Sequence, residues 1–405
     1  MNSPLKDLKV IELASVLAGP SVGAFLAELG AEVIKIENIS TNGDVTRKWK
    51  LPKESETTDI SGYFSCVNWG KTSIALDLTQ SEGLKIIYDL VKKSDIILVN
   101  YKPGDAEKLK VDYNSLKTIN EKIIYAHLTG YGLKNPRAGF DAIIQAESGF
   151  TFMNGQPDGQ PTKMPVALMD ILAAHHIKEA ILLALLYRER TGKGQFVEAS
   201  LFEAGLASLV NQATNWLVGN EIPQRLGSDH PNIVPYGTIF KTADNKEIVL
   251  AVGTDKQFQE LTELIGMPEL ANNPKFTKNY FRVINKKEII PILQEHFLKF
   301  TRDEILKLLD NRKIPAGGVY DMQEVFNIPE AKPMILKGKY DDGTEIKGVR
   351  STAFNTSDNL TVKELTPPPH YGEHTRTILQ KELNYSNETI EQLIIKNVIY
   401  EQRKN

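Results

Sequence analysis

Short apolar strands recur along the first third of the chain, and this pattern constrains the fold more than any other feature. Apolar runs lie at 9–13, 32–37, 73–78, 95–100 and 122–127, and helical or turn-rich stretches separate them. Strands that are apolar on both faces are typical of a parallel sheet covered by helices. The sequence therefore predicts an α/β fold with a parallel sheet in this part of the chain.

Apolar residues at helical spacing predict helices at about 21–29, 81–93, 201–217 and 386–403. A further long helix is predicted from Asp170, because an apolar run follows it directly. These helices have the lengths expected of elements that cover a sheet.

A change in composition near the middle of the chain, where Pro, Gly, Asn and Asp accumulate, predicts a domain boundary. Beyond it, two short strands separated by a turn predict a hairpin, and Thr254 and Thr301 suit helix N-caps. We therefore expect a large domain that begins with 1–224 and a smaller α+β domain at 225–330. Residues 331–405 then form a linker and return to the large domain.

Composition and charge exclude several classes of protein. The 405 residues carry a formal net charge of −3, which gives no electrostatic case for binding nucleic acid or a membrane surface. The single cysteine, Cys66, excludes an internal disulfide and fits a reducing cytoplasm. The seven histidines show no metal-ligand spacing, and the N-terminal residues lack the apolar core of a signal peptide. A globular cytoplasmic protein without a metal is expected.

Asp170 is the most informative single residue, because it is a lone carboxylate between two apolar segments. A carboxylate in such a place must cap the helix, pair with a cation or take part in chemistry. Asp is a preferred N-cap and suits the positive end of the helix dipole, so position alone favours the cap.

Basic residues follow predicted strands at Lys71 and Lys102, and Lys108 lies one helical turn beyond. Strand ends with loop N–H groups and lysines suit the phosphates of a nucleotide-like ligand. Solvated surface charge is the alternative interpretation. The glycines between 19 and 23 match the dinucleotide fingerprint poorly, since Pro20 stands where a phosphate needs a backbone N–H.

The chain resembles the family III coenzyme A transferases, a group that also includes α-methylacyl-CoA racemases. The resemblance runs in order through nearly the whole length. It is carried by residues 8–13, 18–20, 29–37, 43–47, 68–78, 100–104, 139–141 with 145–146, Asp170, 190–195, 231–237, 314–317 and 372–375.

This resemblance implies a Rossmann-like large domain, a smaller domain, and a homodimer of two interlocked chains. It implies that an acyl-CoA and a small carboxylic acid are the substrates, with no tightly bound cofactor. Asp170 matches the family's nucleophile, which forms an aspartyl acyl anhydride and an aspartyl-CoA thioester. Helix amides near Asp170 are expected to keep it ionised. The positions that match coenzyme A ligands are Val16, Ala18, Lys71, Thr72, Asn100, Tyr101, Lys102 and Lys108.

Transfer is favoured over racemisation because Phe140 stands where the racemases carry a histidine, and phenylalanine cannot carry a proton. Leu17 and Asn38 replace a glutamine and an arginine of formyl-CoA transferase, which disfavours a formyl or oxalyl substrate. The predicted substrate contacts are Leu17, Arg47 and Phe140, with Arg47 meeting the second carboxylate of a dicarboxylate such as succinate. A coenzyme A ligand and a surface residue are the alternative interpretations of Arg47. A racemase, a non-catalytic CoA-binding protein and a nicotinamide oxidoreductase are the alternatives.

Overall fold

The computed structural model describes residues 3–402. Within that range the strands are β1 (Lys9–Glu12), β2 (Glu32–Asn38), β3 (Lys71–Leu76), β4 (Ile96–Val99), β5 (Ile124–Thr129), β6 (Gln195–Ser200), β7 (Tyr236–Lys241), β8 (Glu247–Ala251), β9 (Ala316–Gly318), β10 (Ile335–Lys339), β11 (Glu345–Val349) and β12 (Ile399–Tyr400).

The α-helices of the same range are α1 (Ala18–Glu28), α2 (Gly62–Ser65), α3 (Ser81–Val91), α4 (Asp105–Lys108), α5 (Tyr113–Lys117), α6 (Asp141–Glu147), α7 (Phe150–Met153), α8 (Leu168–Thr191), α9 (Leu201–Ala207), α10 (Val210–Leu217), α11 (Asp255–Leu264), α12 (Glu269–Asn272), α13 (Asn279–Ile284), α14 (Lys286–Phe297), α15 (Arg302–Asn311), α16 (Met322–Asn327), α17 (Thr375–Leu383) and α18 (Asn387–Ile395). No helix in the described part of the chain has the length and apolar character needed to cross a membrane.

A seven-stranded sheet forms the centre of the first compact unit, in the order β12-β3-β2-β1-β4-β5-β6. All neighbouring strands pair in parallel except β12, which runs antiparallel to β3. The chain order reverses between β1 and β4, and in open parallel sheets ligands bind beyond the carboxyl ends of the strands at such a point. The predicted α/β class with a mostly parallel sheet is confirmed.

The strands are buried on both faces because helices cover them. Every residue of β4 and β5 is buried. On one face Ile11, Ile34 and Ile97 join the apolar side of α3, including Ile86 and Leu90. Full burial of such side chains contributes about 1.5–3 kcal/mol each, so this core fixes the register of the sheet.

The second compact unit contains the antiparallel sheet β7-β8-β9 and helices α11 to α16. The predicted hairpin and both predicted caps are confirmed. Thr254 and Thr301 each begin a helix with a capping box, in which the residue three positions later bonds back to the cap. The core of this unit includes Phe240, Phe258 and Phe297.

The boundaries of the units differ from the sequence prediction. The second unit consists of Gly149–Lys163 and Asn220–Lys332, and the rest of the described chain belongs to the first. The first of these segments joins the second unit through backbone, since the Gly227 N–H donates to the Gly155 carbonyl at 3.0 Å. The predicted large domain, which begins with 1–224, includes that segment.

Three predicted helices differ in extent. Helix α1 begins at Ala18, so Pro20 lies in its first turn. The helix predicted at 201–217 is two helices, α9 and α10. Helix α18 ends at Ile395, and the end predicted at 403 lies outside the described residues.

Candidate functional site

A cavity of about 280 Å³ opens beyond the carboxyl ends of β1, β4 and β5. The loops that follow these strands supply most of its wall, and α1, α6, α8 and α9 supply the rest. Its lining residues are Ser15, Val16, Leu17, Ala18, Asn100, Tyr101, Lys102, Pro103, Leu128, Thr129, Gly130, Arg137, Ala138, Gly139, Phe140, Asp141, Asp170 and Leu201.

Asp170 lies at this cavity as the third residue of α8 and is not the helix cap. The N-cap position is Ala167, whose side chain accepts no hydrogen bond. Asp141 takes the capping role instead, because its Oδ1 accepts the backbone N–H of Met169 at 2.8 Å. No hydrogen bond reaches the Asp170 carboxylate from any residue between 3 and 402. The cap interpretation of Asp170 is therefore wrong.

Burial raises the pKa of Asp170 to about 7, and the nearby Asp141 carboxylate adds to the effect. Both causes disfavour the charged form, and no helix amide offsets them. The hydrogen bonds from helix amides that were expected to keep Asp170 ionised are not found among the described residues, and the Met169 N–H in the first turn of α8 donates to Asp141. Asp170 is consequently a more basic carboxylate than an exposed one.

The loop after β1 carries unusual backbone geometry into the cavity wall. Val16 has φ of 71°, which is uncommon for a β-branched residue. Its N–H donates to Asp44 Oδ2 at 3.2 Å. Asn100 fixes the neighbouring Ser15 twice, accepting its N–H at 3.0 Å and donating to its carbonyl at 2.7 Å. Two side chains from other elements thus hold this loop in place.

The cavity brings together most of the residues predicted to contact coenzyme A or substrate. Those that line it are Val16, Leu17, Ala18, Asn100, Tyr101, Lys102, Phe140 and Asp170. Four others are not among the described lining residues: Arg47, Lys71, Thr72 and Lys108. The Thr72 hydroxyl donates to the Val33 carbonyl at 3.3 Å. Lys108 is exposed on α4 and pairs with Asp105 at 2.9 Å.

Lys71 is buried inside the first unit. It is therefore neither a solvated surface charge nor a lysine that faces the phosphates of coenzyme A, and both predictions are wrong. Its Nζ donates to Glu12 and to the Pro20 carbonyl at 2.8 Å each, and to Asn68 at 3.0 Å. Burial lowers the pKa of Lys71 to about 8, and Glu12 opposes that change. An ammonium with three internal partners has no donor left for a phosphate.

Arg47 is also buried, and its predicted role as a substrate contact needs correction. Its Nε and Nη2 donate to Glu37 at 2.8 and 2.6 Å. Its Nη1 donates to the carboxylate and to the carbonyl of Asp59 at 3.3 Å each, Nη2 also donates to the Pro369 carbonyl at 3.1 Å, and the guanidinium lies over the ring of Phe64. The side chain ties β2 to neighbouring segments and has no free N–H for a substrate carboxylate.

Two features of the site were missed. Arg137 lines the cavity, pairs with Glu147 at 2.5 Å and lies over the ring of Tyr131. Gly130 and Gly139 cross so closely that a Cβ on Gly139 would lie 2.1 Å from the Cα of Gly130. Both glycines are visible in the sequence, but only the fold shows that they meet and close the loop that carries Arg137.

A second cavity, of about 240 Å³, lies beyond the carboxyl ends of β1, β2 and β3. Asn38, Asp77 and Thr79 contribute to its wall. Ser15 and Tyr101 line both cavities, which therefore adjoin at the loops after β1 and β4.

The fold and the two cavities define a class of protein, an α/β protein with cavities at the carboxyl edge of a parallel sheet, where ligands bind in folds of this kind. A family model described as CoA-transferase family III matches residues 5–375. The chain belongs to this family and is a family III CoA-transferase.

Relatives and solved structures agree with this assignment. Succinate–glutarate CoA-transferase of Agrobacterium fabrum is 38% identical over 384 residues, 93% of this chain and 95% of that protein. Succinyl-CoA:glutarate CoA-transferase of Mus musculus is 35% identical over 406 aligned residues, 98% of this chain and 90% of that protein. The crystal structure of a CAIB/BAIF family protein from Brucella suis has a TM-score of 0.84 and 37% identity, covering 94% of this chain and 100% of that chain.

Proposed function

We propose that this protein moves coenzyme A from succinyl-CoA to a second dicarboxylic acid such as glutarate, with Asp170 as the nucleophile. The observation that carries the mechanism is the carboxylate of Asp170, half-buried at the cavity and free of hydrogen bonds from the described residues. The substrate class is supported by the relatives, two of which are named for succinate or succinyl-CoA and glutarate.

In the first half of the reaction an Asp170 carboxylate oxygen attacks the thioester carbonyl of succinyl-CoA. The C–S bond breaks, coenzyme A leaves as the thiolate, and a mixed anhydride joins Asp170 to succinate. The thiolate then attacks the Asp170 carbonyl of the anhydride. Succinate leaves as the carboxylate, and an aspartyl-CoA thioester remains.

The second half reverses these steps with the acceptor. A carboxylate oxygen of glutarate attacks the aspartyl-CoA carbonyl, the thiolate leaves, and an anhydride forms between Asp170 and glutarate. The thiolate attacks the glutaryl carbonyl and releases glutaryl-CoA, which restores the Asp170 carboxylate. No oxidant, reductant or net proton is needed, and water must be excluded while either anhydride exists.

Coenzyme A is proposed to extend from the Asp170 cavity into the adjoining one past Ser15 and Tyr101. Lys102 is exposed at the rim, where its ammonium suits a phosphate of the ligand. With Arg47 and Lys71 engaged elsewhere, Lys102 and Arg137 are the cationic residues among the described lining of the first cavity.

The racemase alternative is not favoured. Phe140 lines the cavity beside Asp141 and offers no proton carrier. His127 is buried, its Nε2 lies 2.9 Å from the Tyr101 carbonyl, and burial lowers its pKa. It therefore makes a poor second base.

The substrate proposal predicts a difference between two acceptors of equal length. With succinyl-CoA as donor, glutarate is expected to give a kcat/KM about 10- to 100-fold above that of pentanoate, since one charge-assisted contact to the distal carboxylate is worth about 1.5–3 kcal/mol. Acyl-CoA products are measured by mass spectrometry. Equal rates for the two acids would contradict the dicarboxylate assignment.

The covalent mechanism predicts that hydroxylamine quenching during turnover leaves a hydroxamate on Asp170. An unlabelled Asp170 would contradict that mechanism.

The raised pKa of Asp170 predicts a specific pH profile. Because only the carboxylate attacks, kcat/KM for succinyl-CoA is expected to rise about tenfold per pH unit in acid and to level off above a midpoint of about 7. An ordinary exposed Asp would give a midpoint near 4. A profile that is flat between pH 5 and 8 would show that Asp170 titrates as an ordinary carboxylate.

A homodimer is proposed from the surface of α8. Leu182, Leu183, Leu186 and Tyr187 are all exposed on this one helix, with Leu183 at 67%. A group of large apolar side chains exposed on one element marks a surface that another protein chain covers.

Leu183→Glu is expected to weaken dimer formation at least tenfold, because it buries a charge at an apolar contact. Light scattering after size exclusion would report the mass. Ile395→Glu, at a similarly exposed position on α18, is the matched control and is expected to leave the mass unchanged. A monomeric wild-type protein at micromolar concentration would contradict the proposal.

A further inference from the structure

Two polar residues of α6 make bonds that bear directly on the start of α8. Asp141 and Gln145 are one helical turn apart and lie on the same face of α6. Gln145 is fully buried, which is unusual for an amide side chain and requires that its polar atoms be bonded.

Gln145 fixes the segment that leads into α8. Its Oε1 accepts the Met164 N–H at 2.8 Å, and its Nε2 lies 3.3 Å from the Val166 carbonyl. The same Nε2 donates to Asp141 Oδ2 at 2.7 Å. One buried amide therefore links the backbone four to six residues before Asp170 to the side chain of Asp141.

Asp141 completes the link. Its Oδ2 accepts from Gln145, and its Oδ1 accepts the Met169 N–H at 2.8 Å, one residue before Asp170. Both oxygens are thus engaged, and the Met169 amide in the first turn of α8 is occupied. The Asp170 carboxylate is left at the cavity with no bond from the described residues and with a second carboxylate nearby.

We propose that Asp141 and Gln145 are positioning residues that hold Asp170 at the cavity as an unpaired, strongly nucleophilic carboxylate. This inference rests on the proposed role of Asp170 as the nucleophile. Asp141 acts by fixing the first turn of α8 through the Met169 amide and by repelling the Asp170 charge. Gln145 acts by holding Asp141 and the segment before α8 in one arrangement, so both effects reach Asp170 through the partly buried hydrogen bonds of Asp141 and Gln145.

Other charged or titratable groups face the same space. Lys102 and Arg137 line the cavity, and the Tyr63 phenol of α2 interacts with Asp170. Burial is the largest cause, and the negative charge of Asp170 the next, of a rise in the pKa of Tyr63 to about 12. The Tyr63 hydroxyl therefore stays protonated throughout the range of the experiment. Arg137 pairs with Glu147 at 2.5 Å.

The test compares pH profiles of succinyl-CoA consumption for wild type, Asp141→Asn and Gln145→Ala. Asp141→Asn keeps an oxygen for the Met169 amide and removes the charge, and its NH2 group replaces the oxygen that accepts from Gln145. Its acid midpoint of kcat/KM is expected to fall by at least half a pH unit, about a threefold change in the ionised fraction of Asp170, while its plateau rate falls because a less basic carboxylate is a weaker nucleophile. Asp141→Ser, which also caps without charge, is expected to shift in the same direction.

Gln145→Ala is expected to lower kcat about 10- to 100-fold with little change in KM for succinyl-CoA, because a misplaced nucleophile slows the chemical step without weakening substrate binding. Gln294→Ala is the matched control. Gln294 makes a comparable two-bond clamp, on the backbone of Lys241 in the second unit, at 2.9 Å for each bond. It is expected to leave the kcat unchanged.

The outcomes separate this inference from the proposed function. If wild type forms the Asp170 hydroxamate but Asp141→Asn and Asp141→Ser keep the wild-type midpoint, the positioning role is wrong and the nucleophile stands. If Asp170 of the active wild-type enzyme is never labelled, the proposed function fails first. Equal losses of kcat in Gln145→Ala and Gln294→Ala would reduce Gln145 to a general stabilising residue.

Discussion

Replacing Asp170 with asparagine is expected to lower kcat for CoA transfer at least 10³-fold, the largest effect of any single substitution on activity. The amide has nearly the shape of the carboxylate but cannot form the anhydride, so the covalent route is lost while the cavity is kept. The rate is measured with succinyl-CoA and glutarate above the acid limb of the pH profile. Binding of CoA is expected to change less than tenfold, which calorimetry would verify.

The same substitution is expected to stabilise the fold, with a defined pH dependence. The pKa of Asp170 is raised in the folded state, so its stabilising contribution is complete below the unfolded pKa near 4 and is lost as pH rises through about 7. Asp170→Asn has no carboxylate to ionise and so avoids that loss. The difference in free energy of unfolding between Asp170→Asn and wild type is expected to grow from pH 4 to 7 and to reach about 1–3 kcal/mol in favour of the variant at pH 8.

Asp303→Asn is the control for this stability effect, since Asp303 lies in the first turn of α15 and its side chain is 88% exposed. It is expected to change the free energy of unfolding by less than about 0.5 kcal/mol. An Asp170→Asn protein that is less stable than wild type at pH 8 would show that the carboxylate is favourably solvated in the folded state.

Glu12→Gln is expected to destabilise the protein by about 3–5 kcal/mol, because it leaves two buried ammonium groups without their shared carboxylate. Glu12 Oε1 lies 3.1 Å from Lys35 Nζ and Oε2 lies 2.8 Å from Lys71 Nζ, with all three side chains buried. Asp44 pairs with Lys35 at 3.0 Å and also holds the Val16 loop, so the cavity wall is expected to loosen as well. Urea titration at pH 7 measures the loss.

A surface carboxylate that also pairs with two lysines supplies the control for Glu12→Gln. Asp89 also pairs with two lysines, Lys85 and Lys92, but these are exposed. Asp89→Asn is expected to cost no more than about 1 kcal/mol, since exposed pairs are screened by water. Equal losses for Glu12→Gln and Asp89→Asn would show that burial of the Glu12 cluster adds nothing to the fold.

Patterns local in the sequence predicted the parts of the fold that depend on local physics. The apolar runs of β1 to β5 and the caps at Thr254 and Thr301 follow from periodicity and from side-chain chemistry within four residues. The split between α9 and α10 was missed, and it lies where Val210, the first residue of α10, has φ of 40°. The membership of 149–163 was missed because contacts from elsewhere in the chain decide it.

The sequence by itself determined the family, the parallel sheet and the position of Asp170 at the beginning of a long helix. Only the tertiary structure decided what the charged groups do there. Lys71 and Arg47 became internal because Glu12 and Glu37, 59 and 10 positions away, meet them where water is excluded. Asp170 does not cap α8, because Asp141, 28 positions before Met169, accepts the Met169 N–H instead. The sequence shows which side chains are charged, but the electrostatic free energy of each one depends on which partners the fold brings within about 3 Å.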